Sequence, residues 1–196
     1  MKNNLIFTLI FAAVLSACGE AGIQSDISQV FKTDRLDVTI NIPALAIGQT
    51  VAATPATSVE TDDIDIASEE FEDYLDELER ITINKIFYSI EGFDQGNEAD
   101  LDIDLNIIFP GQAPQFLLSA TIEDAHLNTS NVLLFDKDAP GQVSTGAIAS
   151  LENAILTGTS FKIELEIVGR NVTFQTTSDE FQFLFAFDVT ARVQLN

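Results

Sequence analysis

Residues 181–195 read FQFLFAFDVTARVQL, and an apolar side chain occupies every second position of this segment. Alternation with period two is typical of a β-strand that turns one face to a core and the other to water. The apolar positions are Phe181, Phe183, Phe185, Phe187, Val189, Ala191, Val193 and Leu195. The segment therefore predicts a long strand near the end of the chain and a fold built on β-sheet.

Shorter segments earlier in the chain show the same alternation, at 38–42, 101–109, 116–122 and 161–167. The sequence PGQAP at 110–114 separates two of them and has the composition of a turn, which predicts a hairpin. Near Asn84 and Lys85 the apolar positions change parity. That change predicts either the exit of a helix or a β-bulge.

Two segments have helical spacing instead. In the first, which covers 68–80 with Ser68 as a candidate N-cap, apolar residues recur at spacings of four, three and three: Phe71, Leu75, Leu78 and Ile81. In the second, 147–156, apolar side chains fall on one side and Gly158 follows the expected end. We expect one amphipathic helix at about 68–80 and a second, shorter one at 147–156.

These patterns predict a mostly β protein in which 35–196 form a single domain, an antiparallel β-sandwich of the immunoglobulin-like or a related kind. The helix at 68–80 would cross over or cap one end. The alternative is a curved half-barrel with that helix in its concave face, which leaves room for an apolar ligand. The chain has no Trp and a single Cys, so the Trp and disulfide of true immunoglobulin domains are missing.

The beginning of the chain holds the most specific motif. Lys2 is followed by an apolar run at 5–15 and then by small residues before Cys18, which is the order of a secretory leader. The run is shorter than the roughly 20 residues that span a bilayer. This segment resembles bacterial lipoprotein precursors, with the lipobox at Leu15-Ser16-Ala17-Cys18. The resemblance implies a signal peptide over 1–17, cleavage before Cys18, and fatty acyl chains such as palmitate on Cys18.

The same resemblance implies a place in the cell envelope. Gly19 stands where inner-membrane lipoproteins of enteric bacteria carry Asp, which favours the outer membrane. Residues 18–34 would then be the lipidated Cys and a flexible tether, because 19–34 is polar, aperiodic and able to extend about 50 Å. With Cys18 lipidated, the mature chain has no thiol left for a disulfide or a metal site.

The net charge of the chain limits the classes of molecule that can be its partners. The chain has 31 Asp and Glu against 9 Lys and Arg, a formal net charge of -22. Such a chain repels a phosphate backbone, so we exclude nucleic acid as a partner. Eleven of the acidic residues lie between Glu60 and Glu79. We interpret that run as a solvated surface, with a basic partner or a divalent cation as the alternative.

A second acidic group lies at 94–104. Asp100, Asp102 and Asp104 would share one strand face at spacings of about 6–7 Å, too far apart for one ion to bridge all three. We therefore expect no cofactor; calcium is the alternative, and it would bind where the 94–100 loop meets another acidic turn. The candidate ligands are Asp94, Glu98, Asp100, Asp136 and Asp138.

Catalysis has few candidate residues. His126 is the only histidine, which excludes a zinc site of several imidazoles and leaves one residue for any Ser/His/Asp triad. No Gly-x-Ser-x-Gly elbow occurs. We therefore expect no enzyme and no catalytic residue, but a lipid-anchored, non-catalytic binding or structural module with the membrane and an envelope protein as partners. The alternatives are a carrier of an apolar ligand in a Phe-lined concavity, and an adhesion or fibre subunit whose terminal strand pairs with a neighbour.

Overall fold

The computed structural model describes residues 23–66, 71–125, 128–139, 141 and 143–195. Its helix α1 spans Thr145–Leu156, and short 3-10 helices span Ala44–Ala46 and Glu72–Glu77. The strands are β1 Ile23–Lys32, β2 Leu36–Asn41, β3 Thr50–Ala53, β4 Thr57–Glu60, β5 Leu78–Glu91, β6 Glu98–Ile108, β7 Gln115–Ile122, β8 Thr129–Asp136, β9 Lys162–Thr173 and β10 Ser178–Leu195.

The strands form two antiparallel sheets that pack as a sandwich. The first has the order β1-β10-β5-β8, and β2 continues beyond β1 along the same edge of β10. The second has the order β3-β9-β6-β7, and β4 pairs with β9 on the same edge as β3. The predicted mostly β fold and the predicted antiparallel sandwich are therefore confirmed.

Strand pairing is nested along the chain. β6 pairs with β7, β5 with β8, β3 and β4 with β9, and β1 and β2 with β10. Strands pair in this order when the chain forms one long hairpin. When that hairpin is rolled up, β5 lies beside β10 and β6 lies beside β9. The result is the jelly roll, a sandwich of two Greek keys, which is a relative of the immunoglobulin arrangement with different connections.

The core lies between the sheets and follows the alternation of the sequence. Phe181, Phe183, Phe185 and Phe187 of β10 are at most 2% exposed, and the centroid of the Phe183 ring lies 5.9 Å from those of the Phe181 and Phe185 rings. Equally buried aliphatic residues of β6 lie in the opposite sheet: Leu101, Ile103, Leu105 and Ile107. Burial of side chains of this size contributes about 1.5–3 kcal/mol each, so these two strands dominate the core.

Helix α1 confirms the helix predicted at 147–156. The Ser144 side chain accepts a hydrogen bond from the Ala147 N–H at 3.2 Å, as an N-cap does. Leu151 and Ile155 are buried, and the helix packs on β5 and β7. Gly158, with φ +62°, follows its end as expected.

Two bulges change which side chains face the core. Asn84 is the extra residue where β5 pairs with β10, so the parity change in the sequence marks a bulge. In β7, Leu118 pairs with Leu105 and Phe116 with Asn106, which leaves Leu117 as the extra residue. Leu117 and Leu118 are both buried while Phe116 is 47% exposed. The core position expected for Phe116 is therefore wrong.

The helix predicted at 68–80 is also wrong where the structure describes it. Residues 67–70 lie outside the described ranges, Glu72–Glu77 form a 3-10 helix, and β5 begins at Leu78. Leu75, which the helical pattern assigns to the apolar stripe, is 42% exposed. Leu78 and Ile81 pair instead with Val193 and Ala191, because the long β10 offers backbone partners over this whole segment.

The tether predicted over 18–34 is wrong over 23–32, because these residues form β1, and its part at 18–22 lies outside the described residues. Its register runs from Ile23 opposite Leu195 to Lys32 opposite Ala186. β1 is an edge strand with little core burial, so backbone hydrogen bonds hold it and no apolar alternation is needed. Thr33 marks the change from β1 to β2: its N–H donates to the Phe185 carbonyl at 2.9 Å.

Candidate binding surface

The outer side of the second sheet carries a concentration of carboxylates. We call its six acidic positions the acidic face: Glu60, Asp100, Asp102, Asp104, Glu164 and Glu166. They come from three adjacent strands, β4, β9 and β6, in which the intervening residues of β6 and β9 are buried. The alternation that builds the core therefore also gathers these charges on one surface.

Register places like charges opposite one another near the centre of the acidic face. Asp104 of β6 is directly opposite Glu166 of β9, and Glu60 of β4 is directly opposite Glu164. Glu164 accepts hydrogen bonds from the Asn106 amide at 3.0 Å and the Ser58 hydroxyl at 3.1 Å. Like charges in facing positions destabilise a sheet. The pair Asp104 and Glu166 is thus the least compensated part of this surface.

The opposite end of the acidic face is neutralised by protein donors. Arg170 Nη2 donates to Asp102 Oδ1 at 2.9 Å, and its Nε lies against the other carboxyl oxygen. Asn171 Nδ2 donates to Asp100 Oδ2 at 2.6 Å, and the Asp124 N–H donates to Oδ1 at 3.1 Å. The Asn171 hydrogen bond, followed by that from Asp124, lowers the pKa of Asp100.

A shallow depression adjoins this surface. It has a volume of about 520 Å³ and is lined by Asp102, Asp104, Ser119 and Thr121. The Thr121 hydroxyl donates to Asp102 Oδ1 at 2.7 Å, so within the depression the Asp104 carboxylate carries the charge with least compensation. Such a surface suits a cationic group on another molecule better than an anionic one.

The candidate calcium ligands are spread over the molecule. Asp136 lies opposite Lys85 on β5, whereas the 94–100 loop follows the end of β5 at Glu91. The two places are about 20 Å apart along the strand. Asp136 Oδ2 lies 3.5 Å from Lys85 Nζ, and Asp136 Oδ1 accepts the Asp138 N–H at 2.9 Å. Glu98 begins β6 opposite Thr173.

The structure therefore does not bring the five candidate ligands together. Within the described ranges, no group of three or more His, Cys, Asp or Glu residues is placed to hold a metal ion. Cys18 and His126 lie outside those ranges. In the part of the chain that the structure describes, no helix has the length and apolar character needed to cross a membrane.

A buried polar pair was missed by the sequence reasoning. Asn97 and Asp179 are each 1% exposed, and Asn97 Nδ2 donates to Asp179 Oδ2 at 2.9 Å. The Asp94 N–H also donates to the Asp179 carboxylate, at 3.2 and 3.3 Å, and Asn97 Oδ1 accepts the Gln175 N–H at 2.7 Å. Burial raises the pKa of Asp179, against the opposing effect of the Asn97 and Asp94 hydrogen bonds.

The role of this buried polar pair is structural. The Asp179 carboxylate is occupied by protein donors, and Phe93 packs its ring 4.8 Å from that of Phe181 beside it. One signal in the sequence could have revealed it: Asp179 has the same parity as the core positions that begin at Phe181. A carboxylate in a core-facing position needs hydrogen-bond donors.

Comparison with known proteins shows no family for this chain. No protein-family model matches the sequence, and no curated protein matches it either. Among solved structures, that of Desmodium yellow mottle tymovirus is similar over 89% of this chain and 90% of its own, at 12% identity and a TM-score of 0.35. Mud crab tombus-like virus matches at 10% identity over 88% and 81%, with a TM-score of 0.41. Turnip yellow mosaic virus matches at 11% over 88% and 96%, with a TM-score of 0.35.

Proposed function

We propose that this chain is a lipoprotein held at the outer membrane through Cys18, and that its β-sandwich is a non-catalytic binding or structural module of the cell envelope. The observation that carries the proposal is the lipobox Leu15-Ser16-Ala17-Cys18 behind the apolar run at 5–15. Each acyl CH₂ buried in a bilayer contributes about 0.8 kcal/mol, and two or more chains anchor a protein stably.

The start of β1 bears on how this module would stand on the membrane. Residues 19–22 alone separate Cys18 from Ile23, the first residue of β1. Even fully extended, the chain from Cys18 to Ile23 reaches about 18 Å. The sandwich would therefore lie close to the bilayer, with the end of the sheet that holds Ile23 and Leu195 nearest to it.

Charge supports attachment by acyl chains. Without the leader, which contains Lys2 and no acidic residue, the chain has 31 acidic and 8 basic residues, and 8 minus 31 is -23. A domain with this charge is repelled by anionic headgroups, so its own surface does not attach it. The acidic face, with Asp104 and Glu166 at its centre, instead suits a basic patch on an envelope protein.

Two observations favour a module over the alternatives. A carrier needs space among its Phe side chains, whereas the rings of Phe181, Phe183 and Phe185 are in contact and 0–2% exposed. A fibre built through β10 needs a free edge on that strand. β10 pairs with β1 and β2 on one edge and with β5 on the other.

Metabolic labelling with a fatty acid tests the anchor. Cells that express the full chain should incorporate label into it, and the Cys18→Ala variant should stay unlabelled and leave the membrane fraction. The Gly19→Asp variant is the matched control, because it keeps the lipobox and should take up label normally. Label in Cys18→Ala, or an unlabelled full chain in the soluble fraction, would refute the proposal.

A further inference from the structure

A cleft outside the acidic face lies between α1 and the β6–β7 turn. Its volume is about 340 Å³, within the range of small-molecule sites. The exposed Pro110, next to the buried Phe109, is the apolar part of its lining, and polar side chains from both elements surround it: Gln112, Gln115, Ser150 and Asn153.

Both walls of the cleft are preorganised. Ser150 and Asn153 are three residues apart on α1 and therefore share a helix face. The opposite wall is a tight turn in which the Gln112 N–H donates to the Phe109 carbonyl at 3.0 Å, with Gly111 at φ +72°. A ligand would thus meet side chains that are carried on backbone already ordered by the helix and the turn.

The lining is uncharged, which is unusual for this chain. None of the described residues that line the cleft is ionisable, although the chain has 31 Asp and Glu. Glu152, the acidic residue of α1, points elsewhere and accepts the Ile83 N–H at 2.9 Å. A cation would find no carboxylate in the cleft, and an anion would be repelled by the net charge of -22. The site therefore suits a neutral ligand.

The polar groups of the lining are mainly side-chain amides. Gln115 Nε2 donates to Gln112 Oε1 at 3.3 Å, which leaves each amide further donor or acceptor capacity. Among the described residues, no hydrogen bond engages the Asn153 side chain. The Ser150 hydroxyl donates to the Gly146 carbonyl at 3.0 Å and can still accept. Such a lining pairs with a ligand that carries hydroxyl and amide groups together.

We propose that this cleft binds a neutral acetamido sugar. The acetamido group would pair with the amides of Gln112, Gln115 and Asn153, and the apolar face of the sugar ring would lie on the exposed Pro110. The inference deepens the proposed function, because it names a ligand class for the binding module. Its test is independent of the anchor, since acylation at Cys18 can be scored separately in the same preparation.

Saturation-transfer NMR with N-acetylglucosamine tests the site on the full-length protein purified in detergent. We expect saturable binding to the wild type, and about two- to thirteenfold weaker binding to Asn153→Ala, the loss expected for one hydrogen bond of about 0.5–1.5 kcal/mol. Asn153 is exposed on α1, where Ala favours the helix, so the variant should fold. Gln29→Ala is the matched control, because it removes an exposed amide from β1 and should leave binding unchanged.

Glucosamine and glucuronate, which are cationic and anionic at neutral pH, complete the test. Both should bind at least tenfold more weakly than N-acetylglucosamine, because the cleft offers no charge to pair with either. The proposal is overturned if binding of N-acetylglucosamine does not saturate, if Asn153→Ala binds as well as the wild type, or if the charged sugars bind equally well. Sugar binding can fail while Cys18 is still acylated, which would separate this proposal from the anchor.

Discussion

The side chain of Asn97 donates a hydrogen bond of 2.9 Å to Asp179, and the two residues are 82 positions apart in the chain. Asn97 ends the connection between β5 and β6, and Asp179 lies where the connection from β9 enters β10. Each connection crosses from one sheet to the other. The bond therefore joins two crossovers at one end of the sandwich, where no strand pairing holds the sheets to each other.

Removal of the Asp179 carboxylate should destabilise the protein strongly. Asp179→Ala leaves the buried Asn97 amide without its acceptor, which costs about 1–3 kcal/mol, and it also removes the acceptor of the Asp94 N–H. Urea unfolding measures the loss. Asp179→Asn keeps one acceptor oxygen and should lose less stability.

Asp37→Ala is the control, because it removes an exposed carboxylate that accepts from Gln182. It should change stability by less than about 0.5 kcal/mol. Equal losses of stability in the Asp37 and Asp179 variants would contradict a structural role for the buried pair of Asn97 and Asp179.

Carboxyl titrations should separate Asp179 from Asp26 and Asp100. Burial raises the pKa of Asp179, whereas the Arg192 hydrogen bond lowers the pKa of Asp26 and the Asn171 hydrogen bond lowers that of Asp100. In a carbon-13 NMR titration, Asp179 should therefore have the highest midpoint of the three.

The same shifts determine the sign of the pH dependence of stability. The contribution of Asp179 is present at low pH and is lost as the pH rises through its raised folded pKa. The contributions of Asp26 and Asp100 to stability are present above their ordinary pKa, and they are lost as the pH falls through their lowered folded-state pKa values. A midpoint for Asp179 at or below the other two would show that its burial is wrong.

Gly169 should not tolerate a side chain. A Cβ at this position would lie 2.8 Å from Val172 Cγ2 and 3.1 Å from Thr54 Oγ1. Thr54 bridges the gap between β3 and β4 by donating its N–H to the Gly169 carbonyl at 2.9 Å. Gly169→Ala should cost about 1–3 kcal/mol by overpacking.

Gly146 in α1 is the matched control for that variant, since a Cβ there meets Ser144 Oγ only at 4.0 Å. Gly146→Ala should raise the melting temperature, because Ala is the better helix former by up to about 1 kcal/mol. If both glycine variants are neutral or stabilising in thermal unfolding, the close approach at Gly169 does not exist.

Neutralising one member of the facing pair Asp104 and Glu166 should stabilise the protein. Glu166→Gln removes a like-charge contact across β6 and β9, for a gain of about 0.2–1 kcal/mol. The gain should shrink in 1 M salt, where the screening length is about 3 Å. Glu98→Gln makes the same charge change opposite Thr173 and should gain less. An equal gain at both positions would mean that overall charge, and not this register, sets the effect.

Backbone amides in β1 should exchange slowly with solvent. Its residues pair with β10 from Ile23 to Lys32, so the amides directed at β10 are hydrogen-bonded. Hydrogen-exchange NMR should show protection at alternate positions of 24–31, in contrast to the exposed turn at Gly111. Fast exchange along the whole segment would restore the tether expected from its composition.

Local patterns predicted the large elements correctly. The alternation at 101–109 and 181–195 appears as β6 and β10, and the helical spacing at 147–156 as α1. The parity change near Asn84 marks a bulge. The candidate surface was predicted only in part. The acids of β6 share a face as expected, but their opposition to Glu164 and Glu166 of β9 depends on strand register, which spacing within one strand does not contain.

What the sequence determined by itself is the alternation that builds the sandwich, the Leu-Ser-Ala-Cys motif at 15–18 and the charge of -22, because each depends on neighbouring residues or on simple addition. Only the tertiary structure decided that 23–32 is a strand, that Glu72–Glu77 is a 3-10 helix, and that Asn97 meets Asp179. β10 supplies the partner both of β1 and of Asn97. Those contacts join residues more than eighty positions apart, so no pattern within a short segment of sequence contains them.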